Sequence, residues 1–236
     1  MTAKLVNTEN HNTKRFEGHL APLLSVSLDP KGEFVLSSSC DGSVKLWKIE
    51  SEYCLKTWKD CWDKSNDVCR SSTPGQIAWS PDGSKLAIPT KSLLKIITRN
   101  QWDNEKSFKS TSSEDIFTAV AFSKEIVVGG TDKGKLVFWN LTDGTLIKEC
   151  QSDKQSSVQS IDWHPTKNNE ISFIKQDGNF GTVTNFINEQ TNVTSAKTAV
   201  DEDNMNEDEL GTDLNSYTLH TIHDNFKLFF ARQTGN

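Results

Sequence analysis

The feature that most constrains this chain is a unit that recurs along it. The clearest copy starts at Gly18-His19, passes through an apolar stretch to Leu28-Asp29-Pro30-Lys31-Gly32, and ends at Cys40-Asp41-Gly42-Ser43-Val44-Lys45-Leu46-Trp47. A second is marked by Ile77-Ala78-Trp79-Ser80-Pro81-Asp82-Gly83, then Leu86-Ala87-Ile88 and Leu93-Leu94-Lys95-Ile96-Ile97. A third runs from Phe117 to Phe122, through Ile126-Val127-Val128-Gly129-Gly130, to Lys135-Leu136-Val137-Phe138-Trp139. The fourth has Val158 to Trp163, His164-Pro165, Ile171 to Ile174 and a turn at Gln176-Asp177-Gly178. Pro81 and Pro165 lie 84 residues apart, two steps of about 42, which is a blade-like period for repeated four-stranded sheets. Pro30 and Pro81 are 51 apart, because an insertion around residues 58–74 lengthens one connection.

The local chemistry of the unit dictates strands. Ser25-Val26-Ser27-Leu28 and Ser43-Val44-Lys45-Leu46 alternate with period two, as half-buried strands do. Asp41-Gly42, Asp82-Gly83, Asp143-Gly144 and Asp177-Gly178 supply the positive φ and the side-chain acceptor that tight hairpins use. No segment carries an amphipathic-helix pattern. One such sheet cannot bury both its faces alone, so the copies must stack on one another. The expectation is an all-β, incomplete β-propeller of about four blades, spanning 1–189, followed by an acidic, disordered tail over 190–236.

Composition narrows the function. The net charge is −6, and residues 191–236 hold eight acids against Lys197, Lys227 and Arg232. The nearly neutral remainder lacks the basic footprint that phosphate backbones require, so contact with DNA is expected to be indirect or weak. Mean hydropathy is −0.57, and no apolar run approaches the roughly 20 residues that cross a bilayer. The first 15 residues are polar, with no signal-peptide core. The five cysteines form no C-x-x-C pair and read as buried free thiols.

The first copy, with its Gly-His start, Asp-Gly turn and terminal Trp, resembles the WD40 repeat. The resemblance implies a structural hydrogen-bond set of His19, Ser37 or Ser39, Asp41 and Trp47. More specific stretches are Ser38 to Trp47, Asn66-Asp67-Val68-Cys69, Ile77-Ala78-Trp79, Leu86-Ala87-Ile88-Pro89, Arg99 with Trp102, and Asp162-Trp163-His164-Pro165-Thr166. In order and spacing these are similar to the C-terminal half of the first propeller in the WD repeat and HMG-box DNA-binding protein family. Its fungal counterpart is the chromosome transmission fidelity adaptor of the replication fork. The resemblance implies a non-catalytic nuclear scaffold for DNA replication and sister-chromatid cohesion, with protein partners drawn from the replisome. With only four blades and no HMG box, the chain reads as a fragment or truncated product. The alternative is a WD40 adaptor of an unrelated pathway, binding peptides or RNA.

Other patterns have blander explanations. His19, a serine and Asp41 could be taken for a catalytic triad, but no nucleophile elbow accompanies them. Gly129-Gly130-Thr131-Asp132-Lys133-Gly134-Lys135 has phosphate-loop spacing, yet Leu136 follows where Ser or Thr is needed, so a hairpin turn is expected. His220 and His223 lack a third ligand, and no metal, cofactor or small-molecule substrate is expected. Trp58, Trp62 and Trp102 lie in or beside inter-blade connections and are candidate partner-binding anchors, although packing between blades is the commoner role for such residues. Lys56, Lys59, Lys64 and Arg70 interleave with Asp60, Asp63 and Asp67, as on a solvated face.

Overall fold

Strands alternate their side chains between two faces, so a strand that is apolar at nearly every position must be covered on both. Several segments here, such as Phe34-Val35-Leu36 and Ile126-Val127-Val128, have that character, and the fold covers them by stacking sheets. The computed structural model describes residues 2–7, 11–62, 76–151, 155–164 and 170–184, and the strands Asn192–Lys197, Tyr217–His223 and Lys227–Arg232. Every regular element among them is a strand. None is a helix long and apolar enough to cross a membrane.

The chain opens with a hairpin of β1 (Thr2–Val6) and β2 (Thr13–Glu17). Four antiparallel, four-stranded meanders follow in strict chain order. The first contains β3 (Leu23–Leu28), β4 (Phe34–Ser39), β5 (Val44–Lys48) and β6 (Tyr53–Trp58). The second contains β7 (Ala78–Trp79), β8 (Lys85–Pro89), β9 (Leu94–Thr98) and β10 (Glu105–Phe108). The third contains β11 (Phe117–Phe122), β12 (Ile126–Thr131), β13 (Lys135–Asn140) and β14 (Leu146–Gln151). The fourth contains β15 (Val158–Trp163), β16 (Glu170–Lys175), β17 (Asn179–Thr184) and β18 (Asn192–Lys197). A second hairpin, β19 (Tyr217–His223) with β20 (Lys227–Arg232), sets β19 beside β15. This is the four-bladed propeller arrangement that the repeats predict.

Alternation explains the stacking residue by residue. On β4, Val35 faces the N-terminal hairpin with Ala3, Phe16 and Trp47, while Phe34 and Leu36 face the second blade. On β8, Leu86 and Ile88 return that contact, and Ala87 turns towards Phe117 and Trp139 of the third blade. On β13, Val137 and Trp139 face back, while Leu136 and Phe138 meet Ile161 and Phe173 of the fourth. Each sheet therefore serves two interfaces at once, and the core is a series of walls between blades.

The repeat is also visible in the irregularities. The inner strands β3, β11 and β15 each shift register near their first residues, at Leu23/Ser25, Phe117/Ala119 and Val158/Ser160. Such bulges add local twist at equivalent points of each sheet. Gly42, Gly83, Gly144 and Gly178 all have φ between 66° and 80°, the left-handed turn that the Asp-Gly pairs predict. In each, the aspartate accepts the N–H two residues on, at Ser43, Ser84, Thr145 and Asn179.

Three outcomes refine the sequence reading. The N-terminal hairpin was not anticipated. Strand β18 lies beyond residue 189 and pairs with β17 along its whole length, Thr184 to Asn192 through Asn179 to Lys197. The acidic stretch from Asp201 to Glu209 lies outside the described residues. Cys54, Cys61 and Cys150 are free thiols, with burial pushing Cys61 up to about 11 and Cys150 upward as well. Cys40, by contrast, is disulfide-bonded, which corrects the expectation of a free thiol there.

Candidate functional site

The best-formed repeat builds one continuous chain of hydrogen bonds. His19 sits in the connection from β2 to β3, Ser37 on β4, Asp41 in the β4–β5 turn and Trp47 on β5. The Trp47 indole N–H can only donate, and it donates to Ser37 Oγ at 2.8 Å. His19 Nε2 meets the same oxygen at 2.8 Å, and Nδ1 meets Asp41 Oδ2 at 2.9 Å. With Ser37 Oγ accepting from the indole and donating its O–H to Nε2, His19 is neutral and carries its hydrogen on Nδ1, towards Asp41.

The electrostatics agree. Burial lowers the His19 pKa, outweighing the hydrogen bond and charge of Asp41, which pull it up. Burial raises that of Asp41, but the Ser43 hydroxyl, the Leu20 N–H and His19 outweigh it and hold the carboxyl at about 2. The Asp41 carboxylate accepts the Leu20 N–H at 2.9 Å and the Ser43 N–H at 2.9 Å, so it ties the β2–β3 connection to the β4–β5 turn. Ser39 is not in the chain: its hydroxyl donates to the Ala21 carbonyl at 2.9 Å and accepts the Asp41 N–H at 3.1 Å. Ser43, absent from the sequence-derived set, takes part through its bond to Asp41 Oδ1 at 2.5 Å.

This geometry fastens loops to a sheet. It does not cleave bonds. Ser37 is 0% exposed and its oxygen is occupied by Trp47 and His19, so no substrate carbonyl can reach it. The glycine-rich stretch at 129–135 is likewise structural: β12, a turn and β13. A Cβ at Gly129 would lie 2.9 Å from the Phe117 ring, and one at Gly130 would lie 2.6 Å from Val158. Among the described residues no group of three histidines, cysteines or carboxylates could hold a metal. The side chains of His220 and His223 lie outside the described part.

The tryptophans proposed as anchors turn out to be wall residues. Trp58 and Trp62 are 4% and 3% exposed, packed with Leu36, Leu46, Leu86 and Ile88 between the first two blades. Trp62 donates its indole N–H to the Ser39 carbonyl at 3.0 Å. Trp102 is half-buried, edge-on to both Phe34 and Trp79. An aromatic enters such a wall because its large apolar area is worth more there than in water. Of the interleaved charges, Lys56 forms an ion pair with Asp103, joining the first blade to the second. Asp63, Lys64, Asp67 and Arg70 lie outside the described residues.

Sequence reasoning missed three contacts, two of which join blades. Asp29, 0% exposed in its side chain, takes a two-pronged bond from Arg99, Nη1 to Oδ1 and Nη2 to Oδ2, both 3.0 Å. The Arg99 guanidinium also lies 4.8 Å over the Phe34 ring and 2.6 Å from Glu33 Oε2. The third blade pairs Asp115 with Lys135, 2.8 Å apart; by strand register Lys135 stands where Ser43 does and Gly129 where Ser37 does, so the first blade's chain is not repeated there. Gln76 extends its amide to the backbone of Ile161, giving and taking one bond of 2.9 Å each, as an added strand would.

Comparison with known proteins agrees with this architecture. The family model described as the WDHD1 first WD40 domain matches residues 1–182. WD repeat and HMG-box DNA-binding protein 1 of Mus musculus is 31% identical over 192 residues, covering 80% of this chain and 17% of that protein. The Homo sapiens protein of the same name is 30% identical with the same coverages, and the Xenopus laevis one 33% identical over 71% of this chain and 15% of its own. The chain thus spans about a sixth of the length of these relatives. Among solved structures, the β-propeller domain of Myceliophteria thermophila Cps50 (Swd1) superposes with a TM-score of 0.67 at 15% identity, over 85% of this chain and 66% of that one. U3-55K superposes with a TM-score of 0.59 at 17% identity, over 75% and 53%. Both likenesses concern the fold. WD40 propellers are in general non-catalytic platforms for protein–protein contact. The match across all four blades, with the His19–Ser37–Asp41–Trp47 chain in place, shows that this protein belongs to the family of WDHD1 first WD40 domains.

Proposed function

We propose that this chain is a scaffold of the nuclear DNA-replication machinery, holding replisome proteins against its propeller. The observation that carries the reading is the family match over residues 1–182, reinforced by relatives at about 30% identity over 80% of the chain. The physical character of the fold supports it. The polar groups that resemble a reactive site are spent on fastening loops, leaving a stiff frame whose connections are free to bind. Leu20, in one such connection, is 92% exposed yet held by its N–H to Asp41, so its loop is both presented and fixed. Such preorganisation reduces the entropy cost of binding.

On this reading the partners are proteins, the place is the nucleus, and contact with DNA is indirect. The experiment is proximity labelling from this chain in S-phase nuclei. The reading expects enrichment of the replicative helicase and the primase-polymerase over an unrelated WD40 propeller expressed at the same level. Equal recovery from both would remove the replication assignment and leave a WD40 adaptor of another pathway.

A further inference from the structure

The seam between the second and third blades holds a basic cavity that the fold does not explain. Its volume is about 260 Å³, and its lining is Lys85, Lys106, Lys124, Leu141 and Thr142. Lys85 opens β8 and Lys106 lies on β10, both of the second blade. Lys124 sits in the β11–β12 turn, and Leu141 and Thr142 in the β13–β14 turn, both of the third. Three lysines from two blades therefore line the cavity, together with the buried Leu141.

None of the three forms an ion pair among the described residues, although the Lys85 charge is near enough to Asp82 to help lower its pKa. Glu105 is paired with Lys95 at 2.7 Å. Asp82 takes the hydroxyls of Ser80 and Ser84, and Asp143 takes the Thr145 N–H and hydroxyl. Glu125, next to Lys124, is exposed and does not line the cavity. Elsewhere the protein pairs its lysines with acids, within a blade at Lys135–Asp115 and across blades at Lys56–Asp103. Three like charges at one concave place repel one another unless an anion joins them.

We infer that this cavity receives the phosphate of a phosphoserine or phosphothreonine in a partner protein. A phosphorylated side chain brings about two negative charges and three acceptor oxygens, which suits a cavity lined by three lysines. A nucleic acid fits less well. Its affinity comes from many phosphates along a basic track, and here there is one basic spot on a chain of net charge −6. The inference deepens the scaffold reading by naming a partner class, and in that sense it rests on it.

The test uses the full chain in fluorescence anisotropy with a dye-labelled, phosphoserine-centred degenerate peptide pool, its unphosphorylated twin and an oligo-dT strand. The phosphorylated pool binds at least tenfold tighter than its twin, and inorganic phosphate competes. The double variant Lys106→Gln/Lys124→Gln weakens binding by about tenfold or more. Both side chains are exposed, so its melting temperature does not fall, which separates a lost site from a lost fold. Equal binding of the two pools, stronger binding of the oligonucleotide, or binding unchanged by the double variant would each overturn the site. The two readings also fail separately. Replisome labelling insensitive to Lys106→Gln/Lys124→Gln removes this site alone. Phosphopeptide binding without replisome labelling removes only the replication assignment.

Discussion

The Asp29–Arg99 contact offers the sharpest test of how the blades are held together. Asp29 has no exposed side-chain surface, and its carboxylate relies on the Arg99 fork, with the Lys31 and Glu33 N–H groups at 3.2 Å as secondary donors. Burial raises its pKa, yet the Arg99 bonds outweigh that and hold it below the usual carboxylate range. Arg99→Met removes two charge-assisted bonds and leaves a buried carboxylate unpaired, which costs about 3–5 kcal/mol. Arg99→Lys keeps the charge but loses the fork and the stacking over Phe34, so about 1–3 kcal/mol is expected. Asp29→Asn with Arg99→Met costs less than the sum of the two single changes, by about 1–3 kcal/mol, because the partners act on each other. Equilibrium denaturation in guanidinium chloride, followed by tryptophan fluorescence, measures all three differences. A cost for Arg99→Met below about 1 kcal/mol, or a cycle that closes additively, would refute the reasoning.

Other predictions follow from the same walls. Trp47→Phe loses the indole bond to Ser37, whereas Trp58→Phe removes an indole N–H that has no partner, so the first costs about 1 kcal/mol more than the second in the same denaturation assay. Gly130→Ala places a Cβ 2.6 Å from Val158 and costs about 1–3 kcal/mol, read as a lower melting temperature by calorimetry. His19, with its pKa lowered in the fold, disfavours protonation, so stability is complete above pH 6.5 and declines as pH falls below it. Asp41 loses its contribution only between about 3.8 and about 2. Urea midpoints measured from pH 7.5 to 5 should fall for the parent chain and fall less for His19→Asn.

The sequence makes some of this legible and hides the rest for physical reasons. Strand order, turn placement and the all-β class are local properties, written in the alternation of β4 and β5 and in the Asp-Gly pairs, and they can be read directly. The first blade's hydrogen-bond chain is legible because it uses distinctive residues, a histidine and a tryptophan. The Asp115–Lys135 pair of the third blade joins two common residues 20 apart that no local pattern marks. Arg99 and Asp29 are 70 residues apart, and nothing local marks either as buried. The choice between binding and packing for Trp58 and Trp62 is not legible, because an aromatic in a long connection has the same sequence whether it faces solvent or a neighbouring sheet. The β1–β2 hairpin is short and mostly polar, and only the burial of Ala3 and Phe16 against Trp47 reveals its role.

We propose that this folded chain serves as a replication scaffold. The most direct test of that role is affinity capture from S-phase nuclear extract, using the purified chain on beads beside the same chain heat-denatured before coupling. The account predicts that the folded chain retains the replicative helicase or the primase-polymerase and the denatured chain does not. Retention of neither by a chain that still melts cooperatively would contradict it.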